Sequence, residues 1–146
     1  MSNLGYDATG IEINPELVKI SNKTIRSNMK YLNNNISIYQ GSYYPVGFSL
    51  SESARKVEDS IDNVMIHKEI DIHNPVPDGT IERNKIDLHS YDIWYAFVWS
   101  SQAPSVIDMY KQYSKPSAVM IGTGPQFDDI AKKSGLRWVE KDVYTK

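Results

Sequence analysis

The amino-acid sequence predicts an α/β fold with a mostly parallel sheet and helices on its flanks. Three observations predict it. Short apolar or alternating runs recur at Ala8–Ile13, Ile36–Gln40, Tyr91–Trp99 and Ser117–Ile121. Helix-like periodicity lies between the first two runs and again between the last two. Tyr91–Trp99 is apolar apart from Asp92, the composition of a strand covered on both faces.

Ala8 to Ile13 reads as the first strand. Asn14 is placed to cap a helix, Pro15 suits its first position, and Glu16 suits its positive end. Leu17, Ile20, Ile25, Met29 and Leu32 recur at roughly helical spacing, which predicts a helix from Pro15 to about Leu32. Asn33-Asn34-Asn35 ends it, and Ile36 to Gln40 alternates as a strand does. Gly41-Ser42-Tyr43-Tyr44-Pro45 follows as a loop. Residues 46–90 read as an insert between strands. A helix between Ser51 and Ile66 would align Ala54, Val57, Ile61 and Val64 or Met65, and His73 to Arg83 reads as loop.

Pro104 opens a further helix, with Val106, Tyr110 and Tyr113 at i, i+4 and i+7 and Met109 one turn before Tyr113. Lys115-Pro116 stops it. Ser117 to Ile121 reads as a buried strand and Gly122-Thr123-Gly124-Pro125 as a tight turn. Phe127, Ile130 and Ala131 give a short helix face, which Gly135 closes. Asp128 and Asp129 fall in its first turn, where the helix dipole favours acids. Leu136 to Tyr144 is the final strand. The order is β-α-β, an insert, then β-α-β-α-β, and the length of 146 residues predicts one domain over 1–146.

Composition narrows the function classes. Hydrophobic residues make up 40% and charged residues 23%, the proportions of an ordinary globular chain. A net charge of −2 gives no electrostatic case for nucleic acid or for an anionic membrane. With no cysteine, disulfides, thiolate metal sites and a cysteine nucleophile are excluded. No apolar run has the length of a membrane-spanning helix, and the first residues lack a signal peptide's basic and apolar regions. The expected compartment is the cytoplasm.

Histidines 67, 73 and 89 lie in or near the insert, with Asp71 and Asp87 two residues before His73 and His89. Their spacing matches no compact metal-ligand motif, so they read as surface or core histidines. No Gly-x-Ser-x-Gly, phosphate-loop Gly-Lys-Ser/Thr or His-Glu-x-x-His run is present.

Three segments together resemble class I S-adenosylmethionine-dependent methyltransferases, a Rossmann-like family. Leu4-Gly5-Tyr6-Asp7-Ala8-Thr9-Gly10-Ile11-Glu12-Ile13-Asn14-Pro15-Glu16-Leu17-Val18 resembles the end of that family's first helix and its second strand with the acid at its tip. Asn35-Ile36-Ser37-Ile38-Tyr39-Gln40-Gly41-Ser42-Tyr43 resembles the third strand and the turn that lies against adenine. Tyr91-Asp92-Ile93-Trp94-Tyr95-Ala96-Phe97-Val98-Trp99 resembles the fourth strand, whose end faces the transferred methyl. The resemblance implies S-adenosylmethionine as cofactor and a small-molecule methyl acceptor. It implies Glu12 with Ile13 at the ribose, Gly41, Ser42 and Tyr43 at the adenine, and Tyr95 near the methyl group. Ser42 stands where the family often has an acid. Tyr95-Ala96-Phe97-Val98 replaces the Asn/Asp-Pro-Pro-aromatic run of enzymes that methylate DNA adenine. No catalytic base and no metal ligand is named by the resemblance.

A carboxylate at a strand's carboxyl end suits vicinal hydroxyls, because charge-assisted hydrogen bonds are the stronger kind. The family's first strand and its Gly-x-Gly turn have no counterpart ahead of Ala8. The expectation is therefore an N-terminally incomplete fold that binds the cofactor poorly by itself. A second copy or a partner chain would complete its sheet. Two other readings stay open: a non-catalytic Rossmann-like interaction subunit or remnant, and a nicotinamide-dependent oxidoreductase. A circularly permuted order is a further arrangement, with Gly122, Gly124 and Asp142 at the cofactor.

Overall fold

The computed structural model describes residues 6–32, 35–45, 47–60 and 86–146. They fall into two compact units. Residues 6–45 with Ile86 belong to the first, and residues 47–60 with 87–146 to the second.

The first unit is a β-α-β element. β1 (Ala8–Glu12) and β2 (Ile36–Gln40) pair in parallel, with Ala8 opposite Ile36 and Glu12 opposite Gln40. α1 (Pro15–Asn28) joins them and tightens into a 3-10 turn over Met29–Tyr31. Its start follows from the sequence. The Asn14 side chain accepts a hydrogen bond from the Glu16 N–H at 2.9 Å, and Pro15 supplies a first position that needs no donor. The apolar spacing is helical, yet α1 buries none of its residues, and Leu17 and Ile20 stay exposed.

The second unit holds most of the core. α2 (Glu52–Asp59), α3 (Ala103–Tyr113) and α4 (Phe127–Lys133) accompany a sheet of four strands. These are β3 (Ile93–Phe97), β4 (Val119–Thr123), β5 (Arg137–Glu140) and β6 (Val143–Thr145). The sheet order is β3-β4-β6-β5. β3 and β4 are parallel, and β6 runs antiparallel to both β4 and β5.

Register divides the faces of this sheet. Trp94, Met120 and Tyr144 align across it on one face. There Trp94 meets Tyr110 of α3 edge-on at 5.7 Å, and Tyr144 meets Phe127 of α4 at 5.6 Å. Met120, Tyr144, Tyr110, Ile107 and Phe127 are fully buried, so this face carries the core. The Tyr110 hydroxyl donates to the Ala118 carbonyl at 2.5 Å, and the Tyr144 hydroxyl donates to Asp128. Tyr95, Ile121 and Val143 align on the opposite face.

The structure has the expected mixture of helices and strands, with parallel pairs at β1–β2 and β3–β4. It corrects three expectations. The last strand, expected as one run over Leu136–Tyr144, is a hairpin. Lys141 and Asp142 turn the chain, with Asp142 in the left-handed region at φ 62°, and the returning strand inserts between β4 and β5. The larger sheet is therefore mixed rather than mostly parallel. β3 is not covered on both faces, since Tyr95 is 61% and Phe97 70% exposed. The helix expected to reach Leu32 ends its α-helical part at Asn28. Ala54 and Val57 of α2 are buried as the periodicity required, whereas Ile61, Val64, Met65, His67 and His73 lie outside the described residues.

No helix among the described residues is long and apolar enough to cross a membrane.

Candidate functional site

The carboxyl end of the parallel pair β1–β2 brings together most of the residues singled out from the sequence. Open α/β sheets bind ligands at such ends, because the loops leaving the strands open there. Glu12 is the last residue of β1 and faces Gln40. Its carbonyl accepts the Gly41 N–H at 2.9 Å, which ties the acid's strand to the start of the Gly41-Ser42-Tyr43 turn. One carboxylate oxygen, Oε1, accepts the Asn14 N–H at 2.8 Å. That bond holds the side chain over the α1 start, and Oε2 has no partner among the described residues. Ile13 follows, its side chain exposed.

Gly41 is buried. Ser42 Oγ accepts the Tyr44 N–H at 3.1 Å, so the hydroxyl closes its own turn. Tyr43 lies against Tyr44, with ring centroids 4.4 Å apart and tilted by 51°, and its hydroxyl donates to the Tyr44 hydroxyl at 3.2 Å. Burial, then the neighbouring Tyr44 charge and hydrogen bond, push the Tyr43 phenol far above its ordinary range. Tyr43 is thus a neutral ring engaged by its neighbour.

Tyr95 belongs to the second unit, on the face of β3 opposite Trp94. At the end of that strand, the loops after β3 and β4 are stitched together. The Val98 N–H donates to the Thr123 carbonyl at 3.2 Å, and Ser100 Oγ donates to the Pro125 carbonyl at 2.9 Å. Gly124, at φ 142°, lies so close to the Val98 carbonyl that a Cβ would collide with it. The apolar run Tyr91–Trp99 predicts a strand covered on both faces, which would bury Tyr95 and Phe97. The structure puts both at the surface, a distinction that only the position of the covering helices could make.

A cavity of about 330 Å³ opens beside the end of β4. Thr123, Gly124, Asp128, Asp129, Lys132 and Asp142 line it. The permuted arrangement would need Gly124 and Asp142 at the tips of adjacent parallel strands. Both line this cavity, but β6 separates β4 from β5, and Asp142 lies in the hairpin turn. The sheet order therefore does not support a permutant.

His89 is exposed, and its backbone N–H donates to Asp87 at 3.0 Å, an interaction that closes the 3-10 turn Leu88–Ser90. A feature the sequence did not reveal is the buried Asp108 in α3. It receives the Ser51 N–H at 2.7 Å, the Ser51 hydroxyl at 2.8 Å and Gln112 Nε2 at 2.9 Å. With both carboxylate oxygens engaged by protein donors, Asp108 anchors α2.

Comparison of the chain with protein-family models, with curated proteins and with solved structures gives no match.

Proposed function

We propose that this chain is a methyltransferase-like protein whose first unit holds the adenosine half of S-adenosylmethionine. The observation that carries the reading is the position of Glu12. It ends β1, it is tied through its carbonyl to Gly41 at the end of β2, and its Oε2 faces no protein donor among the described residues. A carboxylate so placed can accept hydrogen bonds from two vicinal ribose hydroxyls while Oε1 remains steadied by Asn14. The parallel pairs β1–β2 and β3–β4 support the same reading. In a doubly wound order, second and third strands are neighbours, as are fourth and fifth.

The residues fit the cofactor unevenly. Glu12 suits the ribose, whereas Gly41 is buried and gives its N–H to the Glu12 carbonyl, so it supports the acid's strand end rather than meeting the cofactor. The Ser42 hydroxyl and the Tyr43 ring are engaged with Tyr44, so they hold the turn rather than present themselves to a base. The cofactor would supply an electrophilic methyl group. The chain's part is to position it, and positioning is the larger share of catalysis in such transfers.

Titration of the chain with S-adenosylhomocysteine, followed by saturation-transfer NMR, tests the proposal. Weak binding that Glu12→Gln weakens further, by about tenfold, is expected from the loss of hydrogen bonds to a charged acceptor. Equal affinity of the two proteins, or no binding, would contradict it.

A further inference from the structure

We infer that α1 docks on an anionic lipid surface, which it meets with a row of cations and the apolar ridge beside it. The inference is independent of the methyltransferase reading, because it uses neither Glu12 nor a cofactor.

The row follows from helical spacing. Lys19, Lys23 and Arg26 stand at i, i+4 and i+7 of α1, within about 60° of arc at about 100° per residue. Lys30, in the 3-10 turn that follows, prolongs the row to about 17 Å. These four are all the lysines and arginines of residues 1–45. All are exposed, and none pairs with a carboxylate among the described residues. Glu16, the one acid of α1, stands one turn before Lys19. The chain's net charge of −2 hides this segregation.

The ridge follows from the same spacing. Val18, Ser21, Asn22 and Ile25 form the half-buried side of α1. Leu17, Ile20 and Thr24 share another side, within about 60° of arc. Leu17 is 47% and Ile20 58% exposed. Tyr31 follows in the 3-10 turn, also exposed, and Lys30 Nζ lies 4.7 Å from its ring centroid. Cations and apolar side chains therefore lie next to one another on the exposed part of the helix.

One occupant must suit both. Near an anionic bilayer each cation raises affinity by about fivefold. Leu17, Ile20 and Tyr31 leave water only where the surface is apolar beneath its charges. A lipid leaflet has that order: apolar side chains enter the acyl boundary, lysine stems lie along it, and the ammonium groups stay with the headgroup phosphates. A nucleic-acid backbone would satisfy the cations and leave the ridge in water.

Co-sedimentation of the full chain with lipid vesicles tests the inference. The chain should bind vesicles of phosphatidylcholine mixed with phosphatidylglycerol and should not bind phosphatidylcholine alone. Binding should vanish in about 1 M salt, where the Debye length is about 3 Å. Lys23→Gln/Lys30→Gln should weaken it about 20- to 30-fold, and Ile20→Ser about three- to tenfold. Lys132→Gln/Lys133→Gln, which removes two exposed cations from α4, should leave it unchanged. Every changed residue is exposed, and unchanged far-UV circular dichroism would verify the fold.

No binding to the mixed vesicles, equal binding to both kinds, or indifference to either α1 variant would overturn the inference. So would an equal loss in the α4 variant, because the attraction would then not belong to α1. Binding of a single-stranded DNA oligonucleotide in place of vesicles, through Lys23 and Lys30 but not Ile20, would overturn it in favour of a nucleic acid. A dimer in sedimentation velocity that Ile20→Ser dissolves would overturn it in favour of a second copy.

Discussion

Asp108, in the middle of α3, holds Ser51 at the start of α2 by two hydrogen bonds, one from the backbone N–H at 2.7 Å and one from the hydroxyl at 2.8 Å. Asp108 is only 4% exposed. Ser51 also caps α2, since its Oγ accepts the Ala54 N–H at 3.2 Å. One serine thus ends the loop, starts the helix and fastens both to α3. A buried carboxylate is tolerated here because donors surround it.

Removing that anchor should cost more than removing the cap. Asp108→Ala leaves the Ser51 N–H without its charged acceptor, and a loss of about 1.5–3 kcal/mol is expected. Ser51→Ala keeps the N–H bond and should cost about 0.5–2 kcal/mol. Urea unfolding followed by circular dichroism measures both. A smaller loss for Asp108→Ala than for Ser51→Ala would show that the carboxylate is not what fastens α2.

Two glycines should each resist substitution, for different reasons. A Cβ on Gly122 would run into the Phe127 ring, which is itself pinned against Tyr144. Gly122→Ala should therefore destabilise by about 1–3 kcal/mol through overpacking. A Cβ on Gly135 meets nothing within 4 Å, but the backbone sits at φ 79°. Gly135→Ala should cost about 1–2 kcal/mol from the left-handed backbone alone. The test lies in rescue: trimming the ring in Gly122→Ala/Phe127→Leu should recover part of the loss. The same Phe127→Leu change should only add to the cost of Gly135→Ala.

Stability should fall in alkali. Burial raises the Tyr43 and Tyr110 phenols above their ordinary range, and Ser114 lowers Tyr110 only in part. The unfolded chain gives up these protons near pH 10 while the folded chain keeps them. Their contribution is therefore complete below about pH 10 and is lost as pH rises beyond it. Urea midpoints should show no loss from these groups up to about pH 9 and a decline above pH 10. Tyr43→Phe should flatten that decline; an unchanged alkaline slope would mean that Tyr43 ionises as freely in the fold as outside it.

Much of the fold was legible because its signals are local. Ile36–Gln40 alternates over the strand that forms, and Asn14-Pro15-Glu16 marks the helix start that the Asn14 cap realises. Pro104 and Lys115-Pro116 bracket α3 for similar reasons. The hairpin at Lys141-Asp142 was not legible. Its left-handed position carries aspartate rather than glycine, and Trp138, Val139, Val143 and Tyr144 read as one apolar strand. The exposed face of β3 was hidden too. An apolar run states what a strand can bury, while the placement of α3 and α4 decides what it does bury. At the candidate site, the sequence located Glu12 and Gly41, which one hydrogen bond brings together. It gave no hint that Ser42 and Tyr43 would turn to Tyr44, nor that Asp108 would reach Ser51, because such pairings arise only in the folded chain.

The central claim is that the Glu12 carboxylate receives ribose hydroxyls, and a thermodynamic cycle tests it most directly. The affinities of S-adenosylhomocysteine and of its 2′-deoxyribose analogue are measured for the wild-type chain and for Glu12→Gln. Glutamine keeps an acceptor for the Asn14 N–H, so the strand end should stay as it is. If Glu12 holds the hydroxyl, the two losses will overlap, and the double change will cost about 0.5–3 kcal/mol less than their sum. Losses that simply add would place the ribose elsewhere and contradict the account.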